Sequence, residues 1–237
     1  MSALKMTVVA TMFILGSTNM LFGATVDWTT WTSQPTSASA VGTVTVGSEA
    51  VSVNYSGEIA FTLLNGTGFN YFQPVSTFTA APAVNNPPVS DMIAILGTDT
   101  THTITFGTPV VNPVMDIVSL GQAGIDTQYD FSLSSGQSMS ILEQGPSYGF
   151  WGCDTCLSLS GTTLTGTEGD GVIQFIGTFT SLTWTGANPE NWNGFTFGVP
   201  VVDPPNATPE PATWASTLLV ALIAAPFALR RLTVRAQ

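Results

Sequence analysis

The sequence predicts an all-β fold, an antiparallel β-sandwich of jelly-roll-like type, with an N-terminal signal peptide and a C-terminal single transmembrane helix. Three observations predict it. Short segments of alternating apolar and polar residues recur about every ten residues, Gly, Asn, Pro and Ser separate them, and one apolar run lies at each end of the chain. No segment of the middle region has a helical period of useful length.

Ten segments carry the alternation, at the spacing typical of sandwiches and jelly rolls. They are Val41–Val46, Val51–Tyr55, Ile59–Leu64, Thr101–Phe106, Val114–Leu120, Tyr129–Leu133, Met139–Leu142, Val172–Phe179, Leu182–Trp184 and Phe195–Val199. The stretch 80–88, rich in Pro and Asn, is either a linker between two small sheets or, as we favour, a long loop within one sandwich. A chain of 237 residues can bury one full core, so we expect one body at residues 25–203.

Residues 1–24 have the order of features of a signal peptide. Lys5 supplies the positive charge near the start, an apolar stretch follows, and the small residues Gly23 and Ala24 offer a cleavage site. We therefore expect export from the cytoplasm.

Beyond the body, we expect a Pro-rich linker at residues 204–211 and a transmembrane helix with a basic tail at residues 212–237. The 16 residues of the apolar run from Trp214 to Leu229 would form a helix of about 24 Å. That length is somewhat short of a hydrocarbon layer of about 30 Å. The arginines that follow are typical of a cytoplasmic end.

This C-terminal segment resembles the PEP-CTERM sorting signal. The resemblance rests on Pro209-Glu210-Pro211, on the apolar run and on Arg230-Arg231. It implies that the helix holds the protein in the inner membrane until an exosortase-type enzyme cuts near Pro-Glu-Pro, in bacteria that make exopolysaccharide. Thr208 and Pro226 depart from the family pattern, because Val is common at the first position and Pro interrupts the helix at the second. In segments 102–121 and 169–175, the body resembles the β-sandwich bodies carried on such tails.

Charge is distributed unevenly along the chain. All four basic residues lie in the terminal segments, and residues 6–229 contain no Lys or Arg. The formal charge is −11, and a chain trimmed at both ends would carry 15 acids and no basic side chain. Such a body cannot neutralise phosphates. We therefore expect no nucleic acid as a partner, whereas a neutral polysaccharide and bridging cations remain open.

Two groups of residues are candidates for binding. Trp192 lies in a polar turn, and Trp151 lies near Tyr148, so both tryptophans are candidate glycan contacts. The acids Asp126, Asp130, Glu168 and Asp170 fall in expected loops, where hard oxygen ligands hold Ca²⁺. A solvated surface is the competing interpretation of these acids, because the chain has no EF-hand-type loop. We expect no cofactor other than calcium.

Three further motifs receive structural interpretations. Cys153 and Cys156 form a C-x-x-C pair, which in an exported protein is expected to be a local disulfide, with a redox site as the alternative. Gly145 to Gly149 has the G-x-S-x-G spacing of a nucleophile elbow but lacks a following helix and a later histidine. His102 shares a strand face with Ile104, which favours a packed side chain.

The sequence therefore predicts a non-enzymatic protein of the cell surface or extracellular matrix, with a structural or glycan-binding role in an exopolysaccharide or biofilm setting. The alternative is a glycan-active hydrolase that uses carboxylates.

Overall fold

The computed structural model of the chain describes residues 24–148 and 151–201, which form two antiparallel β-sheets packed face to face. The strands are β1 (Val26–Trp28), β2 (Thr30–Thr36), β3 (Ser39–Val46), β4 (Glu49–Ser56), β5 (Phe61–Leu63), β6 (Met92–Ile95), β7 (Thr101–Val111), β8 (Val114–Leu120), β9 (Thr127–Phe131), β10 (Ser138–Gln144), β11 (Leu157–Ser160), β12 (Thr163–Gly166), β13 (Gly169–Ile176), β14 (Thr178–Ala187) and β15 (Asn193–Pro200). The helical structure in these residues is one 3-10 turn, Val75–Thr77.

The two sheets differ in size and in what covers them. The eight-stranded sheet has the order β11-β12-β9-β14-β7-β4-β3-β2. The seven-stranded sheet has the order β10-β13-β8-β15-β6-β5, and β1 pairs with β15. All pairs of strands are antiparallel. The all-β fold with two packed antiparallel sheets is thus confirmed, and the jelly-roll-like arrangement stays a prediction.

The main core lies between the sheets and is rich in aromatic rings. Trp184 is fully buried at its centre, and its ring centroid lies 5.4 Å from that of Phe195 and 5.5 Å from that of Phe131. Side chains alternate between the two faces of each strand. On β7, Ile104 and Phe106 enter the core, whereas Thr103 and Thr105 face outward.

A second, smaller core covers the outer face of the seven-stranded sheet. Residues 64–91, which join the neighbouring strands β5 and β6, place Phe72 and Phe78 near Val114, Val118 and Val172. Because this sheet is buried on both faces, β8 and β15 are buried along their whole length. The loop therefore makes a third layer over one sheet, and none of the described residues forms such a layer over the outer face of the other sheet.

One predicted segment spans two strands of the structure. The predicted segment Val172–Phe179 is divided between β13 and β14, because Gly177 adopts a φ of 129°, which turns the chain. Residues 1–23 and 202–237 lie outside the described residues. They include most of the predicted signal peptide (1–24), the whole predicted linker (204–211) and the predicted transmembrane helix with its basic tail (212–237). Among the residues that are described, no helix is long and apolar enough to cross a membrane.

Candidate functional site

One corner of the sandwich carries a group of aromatic rings that touch one another. We call it the aromatic cluster, and its members are Phe61, Phe69, Tyr71, Tyr148, Trp151 and Trp192. It lies beside the outer face of the seven-stranded sheet, because three of its members pack against the second core.

Trp192 occupies the middle of the aromatic cluster. Its ring centroid lies 5.3 Å from those of Phe61 and Tyr71 and 5.8 Å from that of Trp151. These contacts are edge-on, with interplanar angles of 64–79°, which is a favoured geometry for aromatic pairs. The two tryptophans that the sequence singled out as glycan contacts are therefore neighbours in space.

The outer rim of the cluster is open to solvent. Phe69 exposes 53% of its surface and Tyr148 exposes 38%, and their ring centroids lie 4.7 Å apart. The Tyr148 hydroxyl donates a hydrogen bond to the backbone carbonyl of Asn70, which joins the two loops. Exposed, fixed aromatic faces of this kind can stack on sugar rings, since they offer large contact area at little conformational cost.

Backbone contacts hold the tryptophans in place. Ser147 and Trp151 exchange two backbone hydrogen bonds of 2.7 and 3.2 Å, which close a tight turn. Trp192 comes directly before β15, and the Glu190 amide on the same loop donates to the carbonyl of Leu96 at 2.8 Å. Both tryptophans thus sit on short loops whose ends are fixed to strands.

Carboxylates lie next to the aromatic cluster at the same end of the sheet. Asp170 is fully buried, and its Oδ1 accepts a hydrogen bond of 2.6 Å from the Ser119 amide. Glu168 accepts a hydrogen bond of 2.9 Å from the Ser119 hydroxyl. Glu190, two residues before Trp192, accepts hydrogen bonds from the Gly121 amide and from the Asn193 side chain.

One oxygen of this group has no hydrogen-bond partner among residues 24–148 and 151–201. Asp170 Oδ2 is buried without a hydrogen bond, and it packs against the α-carbon of Gly152, where an added β-carbon would approach it to 2.5 Å. Gly152 follows Trp151 directly and has a φ of 74°. The loop that carries Trp151 therefore lies on top of the buried carboxyl group.

Burial makes two of these acids weak. It raises the pKa of Asp170 to about 7, and the charge of Glu168 adds to the shift. Burial likewise raises the pKa of Glu190 to about 7, opposed by its hydrogen bonds to Gly121 and Asn193. Both groups are consequently half-protonated near neutral pH.

The histidine belongs to the core and not to a catalytic site. His102 is fully buried, with Nδ1 2.7 Å from the Tyr55 hydroxyl and Nε2 3.3 Å from the Thr100 hydroxyl. Since the Tyr55 hydroxyl donates to the carbonyl of Glu58, His102 Nδ1 carries the proton and donates it to Tyr55. Burial lowers its pKa to about 4, so the ring is neutral at pH 7.

The G-x-S-x-G spacing does not assemble a nucleophile elbow. Ser147 is fully buried and its hydroxyl has no partner within the described residues. His102 is committed to Tyr55 and Thr100, and the last residue of the motif, Gly149, lies outside the described residues. The turn interpretation accounts for this segment.

Cys153 and Cys156 are joined by a disulfide, with an S–S distance of 2.06 Å. The Cys156 amide also donates to the carbonyl of Cys153 at 3.2 Å. The bridge closes the loop that follows Trp151, which is the local role predicted for it. A redox-active C-x-x-C motif lies at the N-terminus of a helix. In the described part of the chain, no helix follows this pair.

The four acids proposed for calcium do not form one group. Asp130 Oδ1 accepts hydrogen bonds from Thr162 and Thr163, and Asp126 accepts one from Thr167. Glu168 and Asp170 both bond Ser119 instead. Over residues 24–148 and 151–201, no group of three or more His, Cys, Asp or Glu side chains is placed to hold a metal ion. Calcium binding stays a prediction.

Sequence reasoning missed three members of the aromatic cluster, which are Phe61, Phe69 and Tyr71. A signal was present, because Phe69, Tyr71 and Phe72 alternate with Gly and Asn in a segment without strand pattern. The sorting-signal residues Pro209, Glu210, Pro211, Arg230 and Arg231 lie outside the described residues.

Comparison with protein-family models, with curated proteins and with solved structures gave no match for this chain. The functional interpretation therefore depends on the geometry of the site and on the sequence.

Proposed function

We propose that the chain is an exported, non-enzymatic protein of the cell surface or extracellular matrix that binds a neutral glycan through the aromatic cluster. The observation that carries the proposal is the cluster itself. Six rings from distant parts of the chain meet at one corner, and Phe69 and Tyr148 at its rim are exposed. Aromatic stacking is a way to bind sugar rings without any charged group.

The charge of the body favours a neutral ligand. Between residues 6 and 229 no Lys or Arg offsets the acids, so an acidic polysaccharide would be repelled. Glu168, Asp170 and Glu190 lie at the same end of the sheet as Trp192, and no basic side chain of the described residues is there to attract an anionic sugar.

The proposed location follows from the resemblance to the PEP-CTERM signal. In that proposal the C-terminal helix holds the chain in the inner membrane until an exosortase-type enzyme cuts near Pro209-Glu210-Pro211. Mass spectrometry of the protein from its host should find a mature chain that ends near Pro211. A surface form that retains Arg235 would contradict removal of the tail.

The glycan proposal is tested by removing Trp192. We expect Trp192→Ala to weaken binding on an array of neutral oligosaccharides by about tenfold or more, as truncation of a central aromatic contact does. Trp28→Ala is the matched control, because Trp28 is a half-buried tryptophan that packs on the same second core outside the cluster.

A second variant separates binding from folding. Phe69 contacts solvent over half of its surface, so Phe69→Ala removes a ring of the cluster at little cost to the core. We expect it to weaken binding while the melting temperature stays within about 2 °C, the range of ordinary surface substitutions. Unchanged binding in both variants, or no glycan bound by the unmodified chain, would refute the proposal.

A carboxylate-dependent glycan hydrolase is the second candidate, and one observation favours it. Glu190 is partly exposed two residues before Trp192, and burial raises its pKa to about 7, which is what a general acid of a glycosidase needs. Release of reducing ends from a neutral polysaccharide, abolished by Glu190→Gln, would favour this candidate over a binding protein.

A further inference from the structure

The outer face of the eight-stranded sheet is covered almost entirely by Ser and Thr side chains. Over the paired segments 101–105 of β7 and 181–185 of β14, the central strands, the outward residues are Thr101, Thr103, Thr105, Ser181, Thr183 and Thr185. All six are exposed or half-exposed, and the residues between them enter the core. We call the outward side of β3, β4, β7 and β14 the hydroxyl face.

The hydroxyls are arranged in rows across the strands. Thr105 lies opposite Ser181 on one side and opposite Asn54 on the other. Thr103 lies opposite Thr183 and Ser56, and the Oγ1 atoms of Thr103 and Thr183 are 3.2 Å apart. Because neighbouring strands are about 4.8 Å apart, a chain laid across β14, β7 and β4 would meet a new hydroxyl or amide at each of these three strands. On β3 the row of Thr105 ends at Val41 and the row of Thr103 continues to Ser39.

Charge is nearly absent from this face, although the protein is strongly acidic. In the strands of the eight-stranded sheet that the structure describes, the outward charged residues are Glu49, at the first position of β4, and Asp130 on β9. Asp130 accepts hydrogen bonds from Thr162 and Thr163. An anionic partner would be repelled by the rest of the body, and a cationic one finds almost no carboxylate here. The face matches an uncharged partner.

The chemistry of the face resembles that of a sugar surface. Each Ser or Thr hydroxyl is both a donor and an acceptor, as is each sugar hydroxyl. Threonine is β-branched and has few rotamers, so little side-chain freedom is lost when it is held by a ligand. Each hydrogen bond between the face and a sugar replaces a hydrogen bond to water, so a single one contributes little to the free energy of binding. Binding therefore requires many contacts at once, which an ordered array of chains supplies and a short oligosaccharide does not.

We propose that the hydroxyl face binds the surface of an insoluble, uncharged polysaccharide. This surface is distinct from the aromatic cluster, which lies on the other sheet, and the proposal holds whether or not that cluster binds sugar. With the hydroxyl face and the aromatic cluster together, one molecule would contact both an ordered polysaccharide surface and a soluble, flexible glycan.

The test is depletion of the full chain from solution by washed microcrystalline cellulose and, separately, by chitin powder. The variant Thr101→Val/Thr105→Val/Thr185→Val removes three hydroxyls and keeps β-branched side chains suited to a strand. We expect its binding constant to fall at least tenfold on a solid that binds the unmodified chain. A control, Ser48→Ala/Ser135→Ala/Thr155→Val, removes three exposed hydroxyls outside the face and should bind like the unmodified chain.

A second variant covers the case in which the triple variant does not fold, as judged by its circular dichroism. Thr105→Lys places one charge in the middle of the face and should also lower the binding constant on the solid. Trp192→Ala is included to separate the two surfaces, and it should bind the solid normally.

Three results would overturn the proposal. The first is that neither solid retains the unmodified chain. The second is that the folded hydroxyl-face variants are retained as well as the unmodified chain. The third is that only Trp192→Ala loses retention on the solid, which would assign the binding to the aromatic cluster. Incorporation into growing ice without retention on either polysaccharide would overturn it as well, since ice is another ordered hydroxyl surface. Failure of Trp192→Ala to affect soluble oligosaccharides would refute the aromatic site alone.

Discussion

Asp116 is a carboxyl group buried in an apolar layer. It lies on β8, opposite Val172 of β13 and Thr196 of β15, and it has no exposed surface. Neither of its oxygens has a hydrogen-bond partner within the described residues. Burial raises its pKa well above the usual range, because the charged form loses its hydration. The hydrogen bonds that its oxygens do not make cost stability.

Replacing Asp116 with Leu should therefore stabilise the protein. Leu has the same number and branching of side-chain heavy atoms as Asp and removes the unpartnered polar group, and we expect the free energy of unfolding to rise by about 1–3 kcal/mol. Urea denaturation of the two proteins measures the difference. Asp99→Leu, at an exposed position, is the matched control and should change stability by no more than about 0.5 kcal/mol. Loss of stability in Asp116→Leu would contradict the interpretation.

At the scale of elements, the loop from Trp151 to Cys156 connects the aromatic cluster to the buried acids. The Gly152 amide donates to the carbonyl of Glu168 at 2.7 Å, and the Cys153–Cys156 disulfide closes the end of the loop. Gly152 permits the close approach, because its α-carbon packs on Asp170 Oδ2 and on the carbonyl of Gly145. The orientation of Trp151 depends on this contact.

Gly152→Ala should destabilise the protein and disturb Trp151. The new β-carbon meets backbone and carboxylate at a position with a φ of 74°, and we expect a loss of about 2 kcal/mol or more. Gly161→Ala is the control, since Gly161 has a φ of 63° and open space around it. That change should cost only about 1 kcal/mol, from backbone strain. Thermal unfolding and tryptophan fluorescence measure both effects, and equal losses would contradict the role of the contact.

Secondary-structure elements were predictable where their side chains alternate. The strands β3 and β4 were predicted because polar and apolar residues alternate along them. The strand β8, which is buried throughout, was predicted because it is rich in β-branched residues. The strand β6 (Met92–Ile95) was missed, since all four of its residues are buried and show no alternation. The short strands β11 and β12 were missed because four residues carry too little periodic signal.

The stability of the whole molecule depends on pH through its buried titratable side chains. Asp170 and Glu190 have a folded pKa of about 7 against unfolded values of 3.8 and 4.5. Between the unfolded and the folded pKa values, the folded state binds more protons than the unfolded state. The free energy of unfolding therefore falls as the pH rises from about 4 to about 7. Asp116 acts in the same direction. His102, with a folded pKa of about 4 against 6.5, acts oppositely and favours higher pH.

We therefore predict that the protein is more stable at pH 5.5 than at pH 7.5. Three acids outweigh one histidine, and the acidic body without Lys or Arg loses repulsion as its carboxylates take up protons. The melting temperature measured across this range should rise as pH falls. Asp170→Asn should flatten the slope and Asp99→Asn should leave it unchanged. A melting temperature that falls steadily towards pH 5.5 would contradict the sign.

The all-β fold is readable from side-chain alternation and turn residues, and the neutral or acidic character of the body is readable from the absence of Lys and Arg between residues 6 and 229. These are local or compositional properties. The contacts of Trp151 and Trp192 with Phe61 and Tyr71 are not readable in this way, because they join segments 80 or more residues apart that strand order brings together. The same packing turned alternating threonines into one hydroxyl face, since the register between strands, which no single segment specifies, aligns their rows.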